Sequence, residues 1–262
     1  MHIKAKKSLG QNFLIDREVL EKIVSITDIA NKEVLEIGPG SGNLTTYILK
    51  QKPKKLYVVE KDDELAILLK EKFDTEIEII NDDILKVSEN KISDQKLSVF
   101  GNLPYNISTK ILSKWILNIG SNFWFDNLIL MFQKEVADRI ISEFNNSNYG
   151  RLSILSNWKL NVEKIIDIKP QSFSPRPKID SSLLLFTPKK NFFELKNPVN
   201  LEKITRIFFS QRRKMLKKPF NQVFTNGKEV AEKFGIDLNL RPQNLKPETY
   251  FKLVKEYEDL RG

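Results

Sequence analysis

The feature that most restricts the fold of this sequence is an alternation of short β-type runs with segments of helical periodicity, beginning at about residue 33. Such alternation is typical of an α/β domain built around a mostly parallel sheet. The candidate strands are Glu33–Ile37, Leu56–Glu60, Ile77–Ile80, Leu97–Gly101, Asn127–Phe132, Val162–Ile168 and Ser182–Thr187. Amphipathic segments at Asp63–Phe73 and Thr109–Ile119 are predicted to be helices that cover this sheet. The sequence therefore predicts a seven-stranded, mostly parallel sheet.

The β-type runs stop after Pro188, and the remainder of the chain has helical periodicity. Amphipathic helices are predicted at Leu201–Leu216, Lys228–Phe234 and Glu248–Leu260, separated by proline and glycine. We therefore expect an α/β domain over residues 1–187 and a small all-helical C-terminal domain over residues 188–262.

Positive charge is concentrated near the end of the chain. The net charge is +9, from 43 Lys and Arg against 34 Asp and Glu. Residues 191–262 hold 15 basic and 9 acidic side chains, so this short region carries +6 of the excess. A generally basic surface is one interpretation, but the uneven distribution favours a surface that faces a polyanion such as nucleic acid.

Several kinds of chemistry are excluded by composition. The chain has no cysteine, which removes disulfides, thiolate metal sites and a cysteine nucleophile. Its single histidine is His2, so histidine acid–base pairs and histidine-ligated metals are not expected, and we predict no metal. The basic N-terminus lacks an apolar core, and no apolar stretch is long enough to span a bilayer. We therefore expect no membrane association and a cytoplasmic location.

A glycine-rich turn follows the first predicted strand. Gly38, Gly40 and Gly42 precede a predicted helix that opens at Asn43, and such glycines let the backbone approach a nucleotide-like ligand. A dinucleotide fingerprint would have a third glycine where Asn43 stands. Glu60, at the end of the second strand, is placed like the acid that binds a ribose diol. The turn alone would be an ordinary tight loop, but together with Glu60 it predicts an adenosine-containing cofactor.

An acidic pair, Asp82 and Asp83, follows the third predicted strand. A carboxylate at this strand end could accept a hydrogen bond from an adenine amino group, with Asp83 the better candidate. A solvated turn or a helix cap is the alternative.

The residues Asn102, Leu103, Pro104 and Tyr105 follow the fourth strand and carry the strongest catalytic signal. An Asn amide oxygen and a backbone carbonyl can accept hydrogen bonds from both N–H groups of an exocyclic amine. These two bonds direct the nitrogen lone pair at an electrophile. Pro104 fixes the backbone, and Tyr105 offers a flat face to a flipped base. Stacking needs only the ring, so Tyr105→Phe is expected to keep most activity. A plain turn is the alternative interpretation.

Four segments together resemble the rRNA adenine N6,N6-dimethyltransferase family, and in particular its bacterial small-subunit (16S) branch. They are Lys7–Leu14, Glu36–Thr45, Gly101–Ser108 and Ser172–Ser181, with Phe208–Lys214 as a fifth match. The resemblance implies a Rossmann-like, S-adenosylmethionine-dependent methyltransferase domain. It implies that S-adenosylmethionine contacts Asn12, Leu14, Gly38, Gly40, Glu60, Asp83 and Asn102. It also implies that Tyr105 and Phe173 sandwich the target adenine, although burial of Phe173 in the core is nearly as well supported.

RNA contacts are predicted at both ends of the chain. The candidates are Lys4, Lys6, Lys7, Arg212, Arg213, Lys214, Lys217 and Lys218. The second group lies in a stretch with no acidic residue between Glu202 and Glu229, which favours phosphate contacts. A solvated tail and an ordinary amphipathic helix are the corresponding alternatives.

The resemblance implies dimethylation of two adjacent adenosines near the 3′ end of 16S rRNA, linked to ribosome biogenesis. The implied partner is rRNA in the small ribosomal subunit, and a monomer is expected. One alternative is a large-subunit (23S) rRNA methyltransferase that confers macrolide resistance, and another is a non-catalytic ribosome-assembly checkpoint factor. An NAD-dependent oxidoreductase is disfavoured by Asn43 and by the lack of a catalytic histidine.

Overall fold

The computed structural model describes residues 6, 9–120 and 122–261. Contacts divide the chain into two compact units. The first comprises the chain up to Lys114 together with Ile119–Ala137 and Glu163–Pro188. The second comprises Trp115–Asn118, Asp138–Val162 and the chain from Lys189 onwards. The predicted boundary lies beside Pro188, but the second unit also takes in two earlier segments, and the division into functional domains stays a prediction.

The strands occur where the β-type runs predicted them, with two short additions. In chain order they are β1 (Phe13–Leu14), β2 (Glu33–Ile37), β3 (Lys55–Val59), β4 (Glu78–Ile80), β5 (Leu97–Gly101), β6 (Phe125–Gln133), β7 (Leu160–Ile168), β8 (Phe173–Ser174) and β9 (Ser181–Pro188). Seven of them form one sheet in the order β4-β3-β2-β5-β6-β9-β7. The pairs β2·β3, β2·β5, β3·β4 and β5·β6 are parallel, and β6·β9 is antiparallel. The predicted seven-stranded, mostly parallel sheet is confirmed.

The central strands are buried on both faces, as a covered parallel sheet requires. Every residue of β2 and of β5 is buried, and such strands are apolar nearly throughout. On one face the sheet packs against three helices, α1 (Arg17–Val24), α2 (Asn43–Lys50) and α3 (Asp63–Phe73). The shared core includes Leu20, Ile23, Val34, Leu44, Ile48, Val58, Leu69, Phe73, Phe100 and Ile129.

Two helices begin at acidic caps whose positions matter for the site. Asp16 accepts hydrogen bonds from the amides of Glu18 and Val19 at the start of α1. Asp62 accepts one from the amide of Glu64 at the start of α3. Such caps satisfy backbone donors that have no partner inside the helix.

A small second sheet, absent from the sequence predictions, joins distant segments. In it β1 pairs antiparallel with β8, so that Phe13 lies opposite Ser174 and Leu14 opposite Phe173. The amide of Ile15 continues the contact by donating to the carbonyl of Ser172 at 2.9 Å. This pairing holds the N-terminal segment against the segment that carries Phe173.

The remaining helices follow along the chain. They are α4 (Tyr105–Asn118), α5 (Lys134–Ile140), α6 (Arg151–Lys159), α7 (Pro198–Ser210), α8 (Lys217–Val223), α9 (Gly227–Lys233) and α10 (Pro247–Asp259). In the second unit, Phe208 packs edge-on against Phe220 and Tyr250, with ring centroids 5.4 and 5.5 Å apart. The Tyr250 hydroxyl donates to the Pro242 carbonyl at 2.7 Å, so this buried aromatic core leaves that hydroxyl satisfied.

The helix predicted over Leu201–Leu216 is confirmed as α7 only as far as Ser210, and its last six residues are wrong, because the next helix, α8, begins at Lys217. Pro219 lies in the first turn of α8, which tolerates proline because a backbone N–H there would have no partner inside the helix. The amides of Leu216 and Lys217 instead donate to the carbonyls of Leu240 and Leu238. Arg212, Arg213 and Lys214 therefore lie in the connection between the helices.

Within the described part of the chain, no helix is long and apolar enough to cross a membrane. The same residues contain no group of three His, Cys, Asp or Glu side chains that could hold a metal ion.

Candidate cofactor and substrate site

The first unit contains a cavity at the carboxyl ends of β2, β3, β4 and β5, the edge at which open α/β sheets bind ligands. Its lining includes Leu9–Leu14, Glu36–Ser41, Asn43, Leu44, Val59–Lys61, Leu65, Asp82–Ile84 and Asn102–Ile107. All seven residues predicted to contact the cofactor are among them. Four loops and the N-terminal segment thus meet at one place.

The glycine turn after β2 has backbone angles that only glycine adopts without strain. Gly38 and Gly40 have φ values of +65° and +59°. A Cβ on Gly40 would lie 2.7 Å from the Phe13 ring. The turn and the N-terminal segment can therefore approach each other only because residue 40 has no side chain.

Glu60 is a buried carboxylate that connects two of the loops. Its Oε2 accepts from the Gly40 amide at 3.1 Å, and its Oε1 accepts from the Asp62 amide at 2.9 Å. Burial raises the pKa of Glu60, although these N–H donors favour its charged form. Its oxygens face the cavity with further acceptor capacity, as a ribose diol would require.

Asp83 is held beside the same cavity by a partner that the sequence analysis missed. Lys61 donates to Asp83 Oδ2 at 2.8 Å, and the Leu85 amide donates to Oδ1 at 3.0 Å. The hydrogen bond from Lys61 lowers the pKa of Asp83, so this carboxylate is ionised at neutral pH. Lys61 follows Glu60 directly, and no spacing in the sequence marks it.

Asn102 is oriented by the N-terminal segment. Its Nδ2 donates to the Asn12 carbonyl at 2.9 Å. Among the described residues no hydrogen-bond donor contacts its side-chain oxygen, which therefore remains an acceptor at the cavity. Leu103 is buried, and its side chain packs so closely that a Cβ on Gly101 would lie 2.9 Å from it.

Asn43, the residue that departs from the dinucleotide fingerprint, has a structural use. Its Nδ2 donates to the Leu14 carbonyl at 2.7 Å. Glycine at this position could not make that bond. The Asn43 side chain thus links the start of α2 to the N-terminal segment that contains Asn12 and Leu14.

Lys6 does not present a free charge to RNA in this structure. Its Nζ lies 2.8 Å from Asp62 Oδ1 and 3.3 Å from Glu64 Oε1. Gln11 adds a hydrogen bond to Asp62 Oδ2 at 3.0 Å. The other two predicted N-terminal contacts, Lys4 and Lys7, lie outside the described residues.

The two aromatic rings predicted to sandwich adenine are placed differently. Tyr105 is half-buried, lines the cavity and has its hydroxyl 2.5 Å from Ser181 Oγ. Phe173 is 1% exposed, belongs to the apolar core and is not among the described residues that line the cavity. The structure thus brings Tyr105, but not Phe173, to the candidate substrate position.

Glu36 is a cavity residue that the sequence analysis did not single out. It is 2% exposed and accepts from the Thr45 hydroxyl at 2.6 Å. Burial raises the pKa of Glu36 to about 8, a shift that the Thr45 hydrogen bond opposes and the nearby Glu60 reinforces. A charged residue near the end of a strand in which every residue is buried was the available signal.

Four of the five basic residues that were predicted to bind RNA near the end of the chain share one surface, and Arg212 is placed apart from them. Arg213, Lys214, Lys217 and Lys218 line one surface depression, together with Met215, Asn221, Asn239 and Arg241. Arg212 instead donates to Gln243 Oε1 at 3.3 Å and to the carbonyls of Asn146 and Ser147. Arg241 was missed because it lies far from the others in sequence.

The fold and this cavity define the class of Rossmann-like methyltransferases. A family model described as ribosomal RNA adenine dimethylase matches residues 2–259. The chain belongs to the ribosomal RNA adenine dimethylase family, so the predicted membership and methyltransferase activity are confirmed.

Proteins of similar sequence match this chain over nearly its whole length. The chain is 92% identical over 262 residues to ribosomal RNA small subunit methyltransferase A of Pelagibacter ubique (strain HTCC1062), covering 100% of both chains. It is 42% identical to the protein of the same name from Wolbachia sp. subsp. Drosophila simulans (strain wRi), covering 98% of this chain and 95% of that one.

Solved structures share the fold. A dimethyladenosine transferase from Plasmodium falciparum has a TM-score of 0.77 and 27% identity, over 94% of this chain and 98% of that one. The 23S rRNA methyltransferase ErmE has a TM-score of 0.68 and 22% identity, over 96% and 100%. At that identity, the likeness to ErmE shows the fold alone.

Proposed function

We propose that this protein dimethylates the N6 amines of two adjacent adenosines near the 3′ end of 16S rRNA, in the small ribosomal subunit. The observation that carries the proposal is the 92% identity, over the whole chain, to a protein named for small-subunit methylation. The cavity supports it, because it gathers the Asn102–Tyr105 loop and the acidic cofactor residues at one sheet edge.

The cavity's donor and acceptor pattern fits S-adenosylmethionine. The ribose hydroxyls and adenine amine of this cofactor are hydrogen-bond donors, and Glu60 and Asp83 are acceptors placed at neighbouring strand ends. Gly38 has space beside it, since among the described residues beyond its chain neighbours an added Cβ would have only the Asn102 carbonyl within 4 Å, at 3.8 Å. When bound, the cofactor supplies an electrophilic methyl group on a sulfonium. Asn12, Leu14, Gly40 and Asn102 complete the proposed contacts.

The Asn102–Tyr105 loop would hold the target amine. The Asn102 side-chain oxygen and the Leu103 carbonyl would accept hydrogen bonds from its two N–H groups and direct the nitrogen lone pair at the methyl group. The Pro104 carbonyl is already taken by the amides of Ile107 and Ser108, which leaves Leu103 as the backbone acceptor. With the cofactor bound, an N–CH₃ bond would form as the S–CH₃ bond broke, and the methylated amine would then release a proton to water. No side-chain base is needed.

In this proposal the flipped adenine stacks against Tyr105 on one of its faces and against Phe173 on the other. The Tyr105 ring already lines the cavity. The Phe173 ring is buried opposite Leu14, so in this proposal it must rotate out of the core when substrate binds.

The second unit is proposed to bind the rRNA backbone through Arg213, Lys214, Lys217, Lys218 and, newly, Arg241. Their shared depression concentrates positive charge, as phosphate contacts require. A ribosomal substrate accords with a cytoplasmic location and with a protein that acts as a monomer.

The proposal is tested by incubating the purified protein and S-adenosylmethionine with small and large ribosomal subunits that lack N6-methylated adenosines. Mass spectrometry then maps the methyl groups. Dimethylation of two adjacent adenosines in 16S rRNA is expected. Methylation of 23S rRNA would favour the resistance enzyme, and binding without methylation would favour the checkpoint factor.

A further inference from the structure

We propose that Ser181 is a positioning residue, which fixes the ring of Tyr105 in the orientation that receives the target adenine. This inference rests on the proposed stacking role of Tyr105. The observation behind it is the hydrogen bond between the Tyr105 hydroxyl and Ser181 Oγ, 2.5 Å apart, between residues 76 positions apart in the chain.

Ser181 is a rigid anchor. It is fully buried and is the first residue of β9, where it lies opposite Gln133 of β6. The Lys134 amide donates to the Asp180 carbonyl at 2.9 Å, which fixes the backbone immediately before it. The sheet therefore determines where the Ser181 hydroxyl lies.

The backbone of Tyr105 is fixed as well, at the start of α4. The amides of Ile107 and Ser108 both donate to the Pro104 carbonyl at 3.0 Å, and the Ser108 hydroxyl donates to the Tyr105 carbonyl at 3.2 Å. The remaining freedom of Tyr105 is rotation about its side-chain torsions. A hydrogen bond at the far end of the ring removes that freedom.

The hydroxyl of Tyr105 keeps its proton over the whole working pH range, so either hydroxyl can donate in this hydrogen bond. Burial raises its pKa above the ordinary value, and the Ser181 contact opposes this only in part. Without the anchor, the ring can still stack but must lose rotational freedom each time a base arrives. Tyr105→Phe should therefore be slower than the wild type, and not nearly as active as the sequence alone predicts.

The test compares Ser181→Ala, Tyr105→Phe and the double variant in single-turnover methyl transfer to unmethylated small subunits, with cofactor and subunits saturating. Each single variant is expected to be about three- to tenfold slower, as loss of one net hydrogen bond would produce. The double variant should be no slower than the slower single variant, because both changes remove the same bond. Affinities for S-adenosylmethionine and for the subunit should not change.

Ser182→Ala is the matched control. Ser182 is also fully buried in β9, and its hydroxyl donates to Asp167 at 2.6 Å, without contact to Tyr105. It should react at the wild-type rate. A purely structural role for Ser181 would instead give effects that multiply in the double variant.

Wild-type rates in Ser181→Ala, or multiplied effects in the double variant, would overturn the inference. If Ser181→Ala does not fold, Tyr105→Phe removes the same bond from the other side, and a wild-type rate there has the same meaning. Failure of the proposed function is distinguishable: the wild type would not methylate 16S rRNA, or Tyr105→Ala would remain active.

Discussion

At the residue scale, the buried carboxylate of Glu36 makes stability depend on pH. Glu36 has a pKa of about 8 when folded, against an ordinary value of 4.5, because burial disfavours its charge. Between these values the folded state holds a proton that the unfolded state has released. The stability this proton provides is fully present below about pH 4.5 and is lost as pH rises through about 8.

Glu36→Gln should remove that pH dependence, since Gln resembles the protonated acid in shape. The free energy of unfolding of the wild type, relative to the variant, should fall by up to about 1.4 kcal/mol per pH unit between pH 5 and 8. Urea unfolding of both proteins at several pH values measures this difference. Parallel pH profiles would show that Glu36 ionises normally in the folded protein.

The two predicted acidic contacts to the cofactor can be tested separately from catalysis. Glu60→Ala and Asp83→Ala should each weaken S-adenosylmethionine binding by about 1–3 kcal/mol, because a donor of the ligand loses its acceptor in the cavity. Calorimetric titration measures the loss, with Glu71→Ala as the control, because Glu71 is an exposed carboxylate of α3 that does not line the cavity. Wild-type affinity in both variants would remove these residues from the cofactor site.

At the element scale, the N-terminal segment is part of the cavity because three contacts hold it there. They are the β1·β8 pairing, the Asn43 bond to Leu14 and the Asn102 bond to Asn12. The resemblance implied that Asn12 and Leu14 contact the cofactor, but the pairing could not be read from the sequence, since the paired segments are about 160 positions apart and only two residues long. Short strands of that kind have no detectable periodicity.

Asn43→Ala should loosen this segment while leaving the sheet intact. Loss of its hydrogen bond to the Leu14 carbonyl should destabilise the local closed state by about 1 kcal/mol. Hydrogen exchange should then become faster at residues 12–15 and remain unchanged in β2 and β5. Equal protection in the variant and the wild type would mean that the β1·β8 pairing holds the segment by itself.

The longer elements were predictable where local pattern and tertiary structure agree. All seven strands of the main sheet and the α3 boundaries follow from apolar runs and a helical period. The break between Ser210 and Lys217 does not, because it depends on backbone bonds from Leu216 and Lys217 to a distant loop. The same limit applies to the cavity: the places of Glu60, Asp83 and Asn102 in its lining were predictable from strand ends, whereas the contacts of Lys61 and Ser181 leave no local pattern.

At the scale of the whole molecule, charge is concentrated in the surface depression of the second unit. Changing Arg213, Lys214 and Lys217 together to Gln should weaken subunit binding and leave S-adenosylmethionine affinity unchanged. The plot of log affinity against log salt has a negative slope. The magnitude of this slope should decrease by about 0.7 for each lost single-strand phosphate contact, or by about 0.9 on a B-DNA-like duplex. Arg212 is left in place because its guanidinium already binds Gln243 and two carbonyls.

A variant with the same change in net charge is the control for that prediction. Lys22, Lys32 and Lys70 are exposed residues of the first unit that do not line the cavity, and their replacement by Gln should leave the slope unchanged. Equal slopes in the two triple variants would mean that net charge, and not the depression, determines the salt dependence.

The central claim is that the loop from Asn102 to Tyr105 catalyses methyl transfer to adenosine in the small subunit. The most direct test is the single-turnover rate of Asn102→Ala on unmethylated small subunits, measured with its affinities for subunit and cofactor. We predict a rate about 10²–10³ lower, as for the loss of one preorganised transition-state contact, with subunit affinity unchanged. A wild-type rate in this variant, or a loss explained wholly by weaker subunit binding, would contradict the account.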